Sequence, residues 1–209
     1  MFTLSISTVL LLILPLLVSL AFHEFCHALV ATFFGDYTAK DRGRLTLNPL
    51  AHLDIMGTLF IVFTGLFGWA KPVPVNPLNF KHPARDMAFV AAAGPLSNLS
   101  LAVILSFILK FTVFNNLIYK LPQFFSDPVS QMLLLAFYLN LGLFLFNLLP
   151  FPPLDGFRIV AYFLPRPWLE FCEKYSFVFF LILMGLVFTS VLNKPLYAII
   201  QFFERLLLG

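Results

Sequence analysis

Residues 7 to 34 form an apolar run broken by charged or imidazole side chains at only three places, His23, Glu24 and His27. The run exceeds the roughly 20 residues that a helix needs to cross ~30 Å of hydrocarbon. No Lys or Arg precedes it, and it is far longer than the apolar part of a cleaved leader, so it is expected to be a retained spanning helix. A chain that buries a bare backbone in lipid must satisfy every N–H and C=O within the segment, which restricts it to helices or a closed barrel. An ionisable cluster inside such a helix is costly. A charged group at mid-bilayer disfavours insertion by about 2.5 to 3.5 kcal/mol, so an intramembrane Glu between two His points to function before it points to architecture.

The rest of the chain agrees with a membrane class. Of 209 residues, 60% are hydrophobic and only 11% charged, less than half the charged share of an ordinary soluble domain. The formal net charge of +3 is a loop-orienting excess and not a nucleic-acid footprint, so no nucleic-acid partner is expected. Cys26 and Cys172 are the two cysteines, and with the first inside a spanning run they offer no disulfide framework.

Further apolar segments at about 85–114, 129–149 and 176–192 complete four expected spans, followed by an amphipathic or partly inserted segment at 195–208. Residues 55–70 are too short to cross and are rich in Gly, aromatic and β-branched residues, which suits a re-entrant or β-like hairpin. The proline-rich "KPVPVNP" after it must be extended. The fold class expected is therefore an all-α polytopic membrane protein, a single-domain helical bundle over residues 1–209 with a re-entrant, β-like insertion between the first two long helices. If 55–70 does not cross, the loops at 36–54, 71–85 and 150–175 share one side and hold nine of the 13 basic residues. The positive-inside rule then places them in the cytoplasm and the N-terminus outside.

His23, Glu24 and His27 read as H-E-x-x-H. Positions four apart lie on one helix face, so both imidazoles reach one ion, with Glu24 beside them to hold a water. Zinc suits imidazole, but a catalytic site needs a third protein ligand and an open position. Asp155, in the proline-rich turn after the third span, meets that need because it falls at the same depth on the same side. Asn147, eight residues earlier, either donates to a developing oxyanion or makes a helix-to-helix hydrogen bond. His52 and Asp54 could form a second metal site or a gate, against the plainer reading of a solvated loop. Cys26 reads as a small buried thiol, and "NLS" at Asn98 as a glycosylation pattern in letters only, since it lies in a span.

"HEFCH", "AGPLSN" and "NLLPFPPLDG", in that order on spanning helices, resemble the site-2 protease family of intramembrane zinc metalloproteases, and "GRLTLNPLAHLD" with "GWAKPVPVNP" resembles its compact prokaryotic members without PDZ or CBS domains. The likeness covers about residues 15 to 165. It implies one Zn2+ held by His23, His27 and Asp155, Glu24 as general base, and Asn147 near the substrate or oxyanion. It also implies a multi-pass protein of a prokaryotic cell membrane, with its active site toward the cytoplasm. The activity implied is hydrolysis within or near transmembrane segments of membrane-protein substrates, with the lipid bilayer as surroundings and a homo-oligomer left open. The rival class is a zinc-binding membrane protein that does no hydrolysis, such as a metal transporter or an inactive regulator. Glu24 separates the two, because a transporter needs ligands but no base beside them.

Overall fold

The computed structural model describes residues 6–54, 71–114, 122–189 and 191–209. The hairpin expected over 55–70 lies outside the described residues. Three long helices carry the architecture: α1 (Ile6–Phe33), α3 (Pro83–Phe114) and α4 (Gln123–Asn147), each long and apolar enough to cross a membrane. Between the first two lies the short α2 (Thr38–Asp41). After α4 come α5 (Asp155–Ala161), α6 (Arg166–Lys174), α7 (Ser176–Phe188) and α8 (Asn193–Leu208). Among the described residues there is no strand, and the protein is an all-α polytopic membrane protein.

The long helices pack pairwise into a three-helix bundle, with α3 between its neighbours and also touching α5 and α8. Small residues let these backbones approach: Ala28 and Ala31 on α1, and Ala91 and Ala102 on α3, are buried. At one end Ala102, Leu109, Phe137 and Leu141 form a core that α8 covers with Ile200, Phe203 and Leu207. Tyr138 donates to Glu204 Oε1 at 2.7 Å, fixing α8 to α4. Exposed positions on the long helices are apolar, as at Leu14, Val18 and Phe107, which is what lipid contact requires. The span expected over 176–192 is helical as far as Phe188. With 13 residues α7 reaches only about 20 Å at the α-helical rise, and it joins α6 at a bend of 70°.

A polar lobe closes the other end of the bundle. α1 stops at Gly35, whose φ of +99° allows the Asp36 N–H to return to Ala31 O at 2.9 Å, the left-handed cap that glycine makes cheap. Asp36 then gathers the lobe. Its carboxylate accepts from Thr38 N, Thr38 Oγ1, Asn76 N and Asn79 Nδ2, tying the residue after α1 to the chain before α3. Burial pushes the Asp36 carboxyl up, but these donors outweigh it and hold it below the usual carboxylate range. Residues 71–76 run extended across the lobe, as their prolines demand. Val73, Ala28 and Ala39 bury together beneath them.

Candidate metal centre

His23 and His27 occupy the inner side of α1, ten and six residues before its end at Phe33 and so roughly 15 and 9 Å along the axis from the lobe. Both are buried, at 5% and 7% exposed. Their Nε2 atoms lie 3.0 Å apart, and each lies close to Asp155 Oδ2, at 3.2 Å from His23 and 3.3 Å from His27. Three ligands around tetrahedral zinc at about 2.0–2.1 Å would stand ~3.3 Å apart, so this triangle has the size of a zinc-binding face. The chemistry of the donors agrees. His27 Nδ1 lies 2.7 Å from Val90 O, and a carbonyl can only accept, so the ring proton sits on Nδ1. Neutral His27 therefore turns a lone pair toward a carboxylate oxygen, an arrangement that a cation between them satisfies. A carboxylate that holds the ion must likewise be ionised.

Two glycines make the convergence possible. Gly94 of α3 faces the imidazoles so closely that a Cβ would collide with His27 and would stand 2.6 Å from His23 Cε1. Gly156 plays the same part for the carboxylate: a Cβ there would strike Leu148 O and lie 2.6 Å from Leu149 O. The α4 helix ends at Asn147, and the prolines that follow forbid its continuation. The chain folds back on itself, Leu154 N donating to Phe151 O at 2.8 Å, and α5 begins at Asp155 with its backbone against the turn.

The cluster opens into a cavity of about 190 Å³ whose wall includes Glu24, Pro72, Val73, Asn147, Leu154 and Arg158. Glu24, 8% exposed, accepts from the Val73 N–H through Oε2 at 3.1 Å. The extended segment thus holds the glutamate at the cavity by its backbone. Asn147 is on the same wall, but its Nδ2 donates to Leu143 O of its own helix at 3.0 Å, not across to another helix.

Among the described residues His23, His27 and Asp155 are the only group of three or more His, Cys, Asp or Glu side chains close enough to share an ion. Cys26 is not part of it. The plainer reading of His52 as a solvated loop residue fails: it is 1% exposed, its Nε2 donates to Thr46 O at 2.9 Å, and the Arg44 guanidinium lies 3.5 Å from its Nδ1. Asn98, read from the sequence only as a letter pattern within a span, stands behind His23 at 2.7 Å. The available signal was an amide side chain in the middle of a span, where polar groups are expensive and need partners.

A carboxylate and two imidazoles converging between spanning helices, with a glutamate on the same cavity, place this protein among membrane-embedded metal-dependent hydrolases. The sequence profile of Peptidase family M50 matches residues 11–186. The chain belongs to that family, the site-2 protease family of metalloproteases. It is 47% identical over 175 residues to the Bacillus subtilis (strain 168) protein named "Putative zinc metalloprotease YwhC", which covers 82% of this chain and 78% of the relative. It is 31% identical over 195 residues to the Mycolicibacterium smegmatis protein named "Putative zinc metalloprotease Rip2", covering 90% of this chain and 70% of that one. No solved structure matches it.

Proposed function

We propose that the protein is a zinc-dependent intramembrane endopeptidase that cuts peptide bonds within or near transmembrane segments of membrane proteins, in regulated intramembrane proteolysis, with one zinc ion per chain. The observation that carries this reading is the triangle of His23, His27 and Asp155 set below the end of a spanning helix, with Glu24 on the same cavity wall. Bound there, zinc would supply Lewis acidity, polarising a peptide carbonyl and making a water easier to deprotonate. The chain supplies the rest. Glu24 has one carboxylate oxygen engaged by Val73 N–H, which leaves the other to take a proton from water and later deliver it to the leaving amine. Asn147 turns toward the developing oxyanion by giving up its bond to Leu143 O. The edge of residues 71–76 receives an unwound substrate strand, because helical backbone is already bonded to itself. The excess of basic residues in the loops around this end supports a cytoplasmic-side site in a prokaryotic cell membrane.

The test compares purified wild type with Glu24→Gln for zinc content and for cleavage of a membrane-anchored substrate. Equal zinc with cleavage lost is the expected result, and cleavage by the variant at the wild-type rate refutes the assignment. A transporter or inactive regulator would bind zinc and cleave nothing in either form.

A further inference from the structure

The two ligand imidazoles are supported differently. His27 donates to a backbone carbonyl, but His23 turns its Nδ1 to the side chain of Asn98, 2.7 Å from Oδ1. That amide begins a relay. Asn98 Nδ2 donates to Asn140 Oδ1 at 3.0 Å and to Ser19 O at 3.4 Å. Asn140 Nδ2 in turn donates to Ser19 Oγ and to Ala136 O, both at 2.9 Å. Ser19, Asn98 and Asn140 are at most 2% exposed, and they come from α1, α3 and α4, the three helices of the bundle.

The polarity of this relay is fixed at its far end. Ala136 O and Ser19 O are carbonyls and can only accept, so each amide must turn its NH2 group toward them. Asn140 Oδ1 is then left to accept from Asn98, and Asn98 Oδ1 is left to face the ring. An oxygen without hydrogen accepts, so the proton of His23 is held on Nδ1 and Nε2 presents a lone pair to the cluster. Flipping either amide would set donor against donor and acceptor against acceptor in a buried site.

We infer that Asn98, oriented by Asn140 and Ser19, is a positioning residue that sets the tautomer and ring angle of His23. The inference rests on the metal reading of the cluster. The same contacts lock α1, which carries both imidazoles, in register with α4, whose end leads to the carboxylate. Freed from Asn98, the ring has a competing partner: a proton on Nε2 could be donated to Asp155 Oδ2, 3.2 Å away, which would occupy the two ligand atoms with each other.

The test uses the full chain, purified without metal and labelled with nitrogen-15 at histidine. Ring nitrogen shifts report which nitrogen carries the proton. Wild-type His23 is expected in the Nδ1–H form. Asn98→Ala should move it toward Nε2–H. Zinc affinity measured by chelator competition should fall about 10- to 100-fold in Asn98→Ala, the usual effect of losing such support. A wild-type His23 carrying its proton on Nε2 overturns the inference without need of any variant. So does Asn98→Ala that leaves the proton on Nδ1, which is the behaviour of a mere packing residue. A wild type with Nδ1–H that binds no zinc refutes the metal reading instead, since the tautomer is measured with no metal present.

Discussion

Replacing Gly94 with alanine sets two effects of opposite sign against each other. In a helix interior alanine is favoured over glycine by roughly 0.5–1 kcal/mol, so local propensity alone makes Gly94→Ala a stabilising change. The site says otherwise. The new Cβ would stand 2.5 Å from His27 Cε1 and 2.6 Å from His23 Cε1, against ordinary contacts of 3.4–4 Å. Either both rings withdraw by about 1 Å or α3 moves off α1 by as much, and zinc–imidazole bonds of about 2.0–2.1 Å do not survive such a retreat. Overpacking of this kind costs about 1–3 kcal/mol, and charged to metal binding it weakens zinc ~5- to 150-fold. Chelator competition on the purified variant reads the affinity, and thermal unfolding in the same detergent reads the stability. An unchanged zinc affinity, together with a midpoint raised as propensity alone would raise it, refutes the geometry.

Asp155→Ala removes one corner of the triangle and should abolish stoichiometric zinc as well as cleavage, which metal analysis of the purified protein checks; full zinc occupancy would exclude Asp155 as a ligand. Stripping wild type with a chelator should lower its unfolding midpoint, and zinc at 100-fold its Kd should restore about 2.7 kcal/mol; a midpoint indifferent to both would mean that no metal binds the folded chain. Asp36 gives a pH signature. Its folded carboxyl lies below the unfolded value, so its contribution is present above the unfolded pKa of about 3.9 and is lost as pH falls through the folded value. The midpoint gap between wild type and Asp36→Ala should therefore be widest near neutrality and narrow below about pH 4; a gap that grows on acidification contradicts the sign. Gly156→Ala should reduce zinc content, read by metal analysis, because its Cβ meets backbone atoms of Leu148 and Leu149 and displaces the turn that presents Asp155; full zinc content would refute that close approach.

Much of this site was legible because it depends on periodicity and depth. His23 and His27 share a face by helical spacing, and Asp155 falls at their level because α1 and α4 end in the same lobe. What stayed hidden depends on three bodies meeting. The small residues of "AGPLSN" announce close packing, but only the rotation of α3 against α1 shows that Gly94 makes room for two imidazoles and that Asn98 stands behind one of them. His52 looked like an exposed loop residue because burial in a lobe built from Arg44, Thr46 and Lys71 leaves no periodic trace. The start of α7 at Ser176 follows the apolar run, but the 70° bend that joins it to α6 is set by how the two helices dock and has no counterpart in apolar length.

The amide of Val73 that grips Glu24 belongs to the same strip of chain that borders the reaction chamber. The backbone that borders the chamber is therefore also the ruler that fixes how far the Glu24 carboxylate reaches, and any shift of residues 72–73 is felt at Glu24.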